Sequence, residues 1–397
     1  MIPALRTHYN TLFSTEKYQA FLQQIAHDFP GQLDFRVAES PVFVPADLTA
    51  QLLQAGEDII DTLVHPQFLQ QTERAIPVNS STPAENTHTH FLILDYAICQ
   101  NPDGRLTPQL IELQGFPSLF GYQAYLNGLY PTFFPVPETL RPYFGHLNEA
   151  GYLQAMRDLL LQGETPDHTV LLELFPHRQK TRIDFEATRR YWGIEPVCLT
   201  EVRRAGRSLY YQRNGRNIDI HRIYNRVIFD ELDTIPGLRT DFHFSEEIDA
   251  TWIGHPNWFF RISKFSLPLL KSDFVPESYF LHELSEYPDH LDDFVLKPLF
   301  SFAGQGVRLH VSAADLDAIP DKENYLLQRR VQYAPVLESP QGGVKVELRM
   351  MYIWPDGKER PQPITSLARL SRGEMIGVRY NSAYDWVGSS AAFFEQP

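Results

Sequence analysis

In the segment FLILDYAICQNPDGRLTPQLIELQGFPSL, residues 91–119, two apolar runs flank Asp103-Gly104. That dipeptide predicts a two-residue hairpin turn, because both central positions of a type I′ turn take positive φ. A hairpin closed there sets Asp95 directly opposite Glu112, and strand alternation puts Gln114 on the face of Glu112. Like charges facing each other across a ladder repel unless a cation lies between them. An Asp, a Glu and an amide oxygen on one face are hard oxygen donors, of the kind that hold Mg²⁺ together with substrate phosphates. The same pair on a solvated face needs no cation, and the hairpin alone leaves both readings open. Pro102 and Pro108 sit where they would fray the ladder and shift its register.

A second set of residues suits anions. Phe294 to Arg308 reads as an apolar strand ending in Lys297-Pro298, a small-residue loop with Gly304 and Gly306, and a further strand. A lysine at a strand end neutralises phosphate oxygens, and glycines let backbone N–H groups approach an anion. The segment is neither a P-loop nor a dinucleotide fingerprint, and an ordinary hairpin would carry the same residues. Tyr325 to Val331 is a short apolar strand with a polar end that could offer backbone groups to an adenine edge. Lys264, after Trp258-Phe-Phe-Arg-Ile-Ser, is either a second phosphate cation or the solvated face of a helix. His88 and His90 share a strand face near Asp95, but zinc takes three or four ligands and no third His or Cys has a fitting spacing.

These residues need a scaffold, and the composition bounds it. The 397 residues carry 49 acidic against 35 basic side chains, a formal net charge of -14. Binding through nucleic-acid phosphates needs a concentrated positive face, so no nucleic-acid partner is expected and an enzyme of small molecules fits better. With Cys99 and Cys198 alone there is no disulfide framework, as in a reducing compartment. The opening MIPALRTHYNTLF lacks a basic n-region and an apolar h-region, and no apolar stretch reaches the roughly 18 to 20 residues of a membrane span. The expected location is the cytoplasm, with no membrane partner.

Helical periodicity runs through the first part of the chain, in Tyr18, Phe21, Leu22 and Ile25 and again in Leu52, Leu53, Ile59, Ile60 and Leu63. The expected division is an N-terminal helical region over 1–85, an α/β substrate- and metal-binding part over 86–250, and nucleotide-binding lobes over 251–397. Expected strands in the second part are 91–98, 106–114, 169–174, 208–212 and 218–227. In the third they are 294–298, 307–311, 325–331, 344–354 and 377–380. This mixture is an α+β protein of several lobes.

In this order the segments resemble the ATP-grasp ligases of the glutathionylspermidine synthetase type, related to eukaryotic glutathione synthetase. The resemblance rests on Asp95 with Glu112-Leu-Gln114, on Trp258 to Lys264 with Val275-Pro276, on Leu296-Lys-Pro298 with Gly304 to Val307, and on Leu327 to Val331. It spans residues 88–397. It implies a multi-lobed ATP-grasp fold of the rearranged type, with ATP and Mg²⁺ as cofactors. The implied activity is a carboxylate–amine ligase that passes through an acyl phosphate, acting on a small-molecule or short-peptide carboxylate and an amine. By the same resemblance Asp95, Glu112 and Gln114 form the metal set and Lys264 and Lys297 touch phosphates. Ser301, Gly304 and Gly306 then belong to the phosphate lid, and Gln328, Arg329 and Val331 line the adenine.

The chain departs from the family pattern twice. Gln114 stands where an asparagine is usual, and Ile93 where the synthetase has an arginine two residues before its aspartate. Arg222 and Arg226 are candidates for that missing arginine, since guanidinium forks bind carboxylate or phosphate bidentately. Glu347 and Arg349 alternate along one C-terminal strand, Arg369 and Ser371 along the next, and Arg369 is the candidate for stabilising an acyl phosphate. The tail Asn381 to Ser390 is expected to close the site, and the N-terminal helical region to serve as a substrate lid or a homodimer contact. A kinase, or an ATP-binding protein without catalysis, would use the same residues.

Overall fold

The computed structural model describes residues 1–232, 235–300, 305–373, 376 and 381–396. Among these the strands, numbered in chain order, form four sheets. The largest runs β1 (Val42–Val44), β18 (Gly388–Glu395), β17 (Gln362–Ser371), β16 (Gly342–Ile353), β2 (Phe91–Gln100), β3 (Leu106–Gln114). On its flanks β15 (Leu337–Ser339) pairs with β16 and β4 (Leu140–Arg141) with β18. A parallel sheet has the order β11 (Thr251–Ile253), β10 (Arg222–Asn225), β5 (Thr169–Glu173), β6 (Glu195–Cys198). Two three-stranded antiparallel sheets complete the set: β12 (Ser278–Phe280), β14 (Tyr325–Arg329), β13 (Phe294–Pro298), and β7 (Arg203–Ala205), β8 (Ser208–Arg213), β9 (Arg216–Ile220). The large sheet draws strands from all three segments of the chain.

β2 reads as a nearly continuous apolar run and is buried on both faces up to Gln100. Its alternate residues enter different cores, as the period of two requires. Leu92, Leu94, Tyr96 and Ile98 join one with Leu348, Met350 and Tyr352 of β16 and the Ala46–Leu63 helix. Phe91 and Ile93 join another with Met351, Ile353 and the Phe120–Phe133 helix. That second face changes character along the strands. It begins with Phe91 and Ile93 of β2, Met351 of β16 and Leu367 of β17, and continues with Asp95, Arg349 and Arg369. The turn from apolar to charged marks where the core ends and a polar site begins. On the first face the Ala46–Leu63 helix comes so close that a Cβ at Gly56 would overlap Tyr352 Oη.

Several sequence expectations change. Residues 218–227 form two strands in different sheets, broken at His221. Residues 307–311 are no strand, and Arg308 makes an isolated bridge to Leu296. The expected strand 377–380 lies outside the described residues. The tail does not cover the site as a flap over its last residues: from Gly388 it is β18, inserted between β1 and β17. No helix among the described residues is long and apolar enough to cross a membrane.

Candidate functional site

The β2–β3 hairpin pairs Asp95 with Glu112 and Ile93 with Gln114. The turn is not the two-residue type. Asn101 N–H donates to the Arg105 carbonyl and Gly104 N–H to the Asn101 carbonyl, and Gly104 is the residue there with positive φ, 86°. From this longer loop the ladder starts one residue out of the expected register, with Tyr96 opposite Leu110. A β-bulge between Asp95 and Tyr96 then leaves Ile111 unpaired and restores Asp95 to Glu112. Gln114 Nε2 donates to Glu112 Oε1 at 3.0 Å.

The cations beside Asp95 are arginines from the neighbouring strands. Arg349 lies opposite it on β16 and donates from Nε to Oδ1 and from Nη2 to Oδ2, both at 2.7 Å. Arg369 Nη2 donates to Oδ2 at 2.8 Å and is also ion-paired with Glu347, its cross-strand partner. Tyr333 O–H donates to Glu347 Oε2 at 2.6 Å. Asp95 and Glu347 are buried. Burial works to raise the Asp95 pKa, but two guanidiniums overcome it and hold the carboxyl below its usual value. Burial raises the Glu347 pKa, which the single shared Arg369 does not fully offset. Burial also opposes the charge of Arg369, while Glu347 and Asp95 more than compensate and raise its pKa.

The bulge has a second effect: the carbonyl of Ile111 accepts from Lys297 Nζ at 3.0 Å. Gln328 Oε1, on β14 beside β13, accepts from the same ammonium at 2.5 Å. Lys297 is buried, and desolvation pulls its pKa down to about 8, with Glu112 opposing and Lys264 adding to the fall. Gln328 Nε2 is buried without a hydrogen-bond partner among the described residues. Lys264 lines a pocket of about 40 Å³ together with Glu112, Gln114, Phe116 and Phe300. The structure therefore gathers Glu112, Gln114, Lys264, Lys297 and Gln328 between β3 and the β12–β14–β13 sheet, with Asp95 and Arg369 beside them on β2 and β17 of the large sheet.

Other candidates lie elsewhere or act differently. Arg222 is a correction: Nε and Nη2 donate to the carbonyls of Leu160 and Leu159 and Nη1 to Gln162 Oε1, so it caps the Glu149–Leu161 helix. Arg226 is ion-paired with buried Asp184, whose carboxylate caps the Phe120–Phe133 helix through the N–H groups of Gly121 and Tyr122. Arg329 is exposed and bound to Glu277. β14 is paired on both sides, and the N–H groups of Arg329 and Arg330 donate to Glu277 and Asp293 carbonyls. An adenine edge finds no donor at those two positions. Val331 lies beyond the strand, half-buried. Gly306 has φ 74°, and a Cβ there would lie 2.7 Å from Pro298 Cγ, so the residue packs against the Lys297-Pro298 corner. Ser301 and Gly304 lie outside the described residues. His88 stacks on Trp354 at 4.2 Å between ring centroids, and His90 Nε2 is 3.4 Å from Asp356. Among the described residues no group of three or more His, Cys, Asp or Glu is placed to hold a metal ion.

Sequence reasoning gave Arg349 and Glu347 no partner. The available signal was Lys345, Glu347 and Arg349 alternating in an otherwise apolar strand, where buried charges must be paired.

No protein-family model matches the sequence, and no curated protein matches it. In fold the chain is similar to a glutathione synthetase-like effector from Globodera pallida, solved in its apo form. The TM-score is 0.57 over 96% of each chain, at 9% sequence identity. At that identity the likeness is one of fold alone: a mixed α and β, glutathione synthetase-like architecture.

Proposed function

We propose that the chain is an ATP-dependent carboxylate–amine ligase of ATP-grasp type, with the triphosphate held between β3 and the β12–β14–β13 sheet. One observation carries the reading: two buried lysines from separate segments, Lys264 and Lys297, converge on the Glu112–Gln114 pair. Lys297 Nζ has three protons and, among the described residues, two protein acceptors, which leaves one for a phosphate oxygen. The buried, unpartnered Nε2 of Gln328 is a second donor in the same place. Such groups stabilise a phosphoryl transfer by position and charge.

Mg²⁺ commonly takes one or two carboxylates and completes its sphere with phosphates and water. Glu112 and Gln114 fit that need as hard oxygen donors. When bound, the ion would neutralise charge on the β- and γ-phosphates. The pocket lined by Glu112, Gln114 and Lys264, at about 40 Å³, is smaller than the roughly 300 Å³ at which ligand sites begin, so a nucleotide does not fit inside it as it stands. In the reaction a substrate carboxylate oxygen bonds to the γ-phosphorus as ADP leaves. The amine nitrogen then bonds to the acyl carbon, phosphate leaves, and the nitrogen gives up a proton.

A second reading, nucleotide binding without turnover, is favoured by Ile93 and by the guanidinium-bound state of Asp95. One experiment separates them. Purified protein is screened for ADP release over pools of amino acids, short peptides and polyamines, with mass spectrometry for a product lighter by one water than its parents. A ligase releases ADP only with both an acid and an amine, and Lys297→Ala abolishes it. Protection against thermal unfolding by Mg²⁺-ATP with no ADP release supports the second reading. Absence of both sinks both.

A further inference from the structure

We infer that Asp95 is not a metal ligand in this chain but the fixed counter-ion of Arg349 and Arg369, a positioning residue that holds the Arg369 guanidinium at the edge of the cleft. The functional half of this rests on the ligase reading; the structural half does not.

Both oxygens of Asp95 are already used. Arg349 grips them as a two-pronged fork, and Arg369 shares Oδ2. The two arginines differ in exposure: the side chain of Arg349 is 8% exposed and that of Arg369 34%. The covered one neutralises, and the more open one is presented. Asp95 and Glu347 face the two guanidiniums of Arg349 and Arg369, so their cationic partners are already within the large sheet. A divalent ion on Asp95 would face two guanidiniums at close range. It would also strip Arg349 of Asp95, the one carboxylate ion-paired with it among the described residues, leaving a buried charge without a partner. Glu112 touches the Asp95 carboxyl, lies near Lys297 and lines the Lys264 pocket with Gln114, so any metal comes with phosphates and rests on Glu112 and Gln114.

The test compares wild type, Asp95→Asn, Arg349→Lys and Glu112→Gln by thermal unfolding in EDTA and in Mg²⁺, without nucleotide. The expected result is that Asp95→Asn melts lower than wild type by about 5 °C or more, equally in EDTA and in Mg²⁺. Arg349→Lys, which keeps the charge and loses the fork, should fall between the two. Were Asp95 a metal ligand, its removal in EDTA would relieve repulsion with Glu112, so a melting point equal to or above wild type in EDTA overturns the inference. Should Asp95→Asn fail to fold, Mn²⁺ binding to wild type without nucleotide decides by electron paramagnetic resonance. No site tighter than about 1 mM is expected, since one carboxylate and an amide hold Mn²⁺ poorly without phosphates. A tighter site that Glu112→Gln removes refutes the proposal. If wild type binds no Mg²⁺-ATP, the ligase reading falls while the EDTA comparison still decides this one.

Discussion

Lys297 offers a quantitative test of how the cleft is built. Its ammonium is buried between β3 and β14, and desolvation lowers its pKa from 10.5 to about 8. At about 1.4 kcal/mol for each tenfold change in proton affinity, keeping it charged at pH 7 costs the fold about 3 kcal/mol. The folded pKa lies below the unfolded one, so between pH 8 and 10.5 the unfolded chain holds the extra proton. Stability contributed by this residue therefore rises across that window and is flat on either side. Lys297→Met keeps a similar unbranched stem and removes the titration. It also leaves the Ile111 carbonyl and Gln328 Oε1 without their donor, a loss that does not vary with pH. The informative quantity is thus the difference between the two proteins as pH changes. Urea unfolding followed by tryptophan fluorescence at pH 7, 8, 9, 10 and 10.5 should show wild type gaining about 3 kcal/mol on the variant from pH 7 to 10.5. Parallel curves would mean that Lys297 is not desolvated, and the proposal that it meets phosphate in a buried site would lose its physical basis.

Arg349→Met should cost about 3 to 5 kcal/mol by leaving Asp95 with half its counter-charge, and adding Asp95→Leu should recover much of it, measured by urea unfolding. Gly56→Ala should cost about 1 to 3 kcal/mol because the new methyl meets the Tyr352 hydroxyl, and Tyr352→Phe in the same background should recover part of the loss, since the ring carbon stays close; a variant as stable as wild type would show that the helix does not sit so close to the sheet. Arg222→Ala should destabilise the Glu149–Leu161 helix end yet leave Mg²⁺-ATP protection unchanged in a thermal-shift assay, the opposite of what a substrate-binding arginine would show.

The hairpin was legible because its evidence is local: two apolar runs, a turn dipeptide and a period of two. Even so, Asp95 meets Glu112 through two departures from the simple picture, a longer turn and a bulge, that offset each other. The partners of Asp95 were not legible, since Arg349 and Arg369 reach it only because β16 lies beside β2 and β17 beyond β16, an order set by long-range pairing. The same limit misled the reading of Arg222, whose alternation with Tyr224 says nothing of the helix end it meets. Residues 218–227 read as one strand because a break at His221 leaves β propensity high on both sides. Gln328 was assigned to the adenine for its place in the chain, while antiparallel pairing of β14 with β13 turns its side chain to the lysine.

The unpaired residue at Ile111 constrains how this hairpin can vary among descendants of the chain. Changes of length at the tip, within 101–105, leave the strands beyond Tyr96 free to keep their pairing. Deleting Ile111 removes the bulge and leaves Glu112 opposite Asp95 in a regular ladder, but it erases the carbonyl that tethers Lys297, while a deletion between Glu112 and Gln114 turns Gln114 to the opposite side of the sheet. Insertions and deletions should therefore accumulate at the tip and be purged near the bulge, a pattern that can be read from sequences alone.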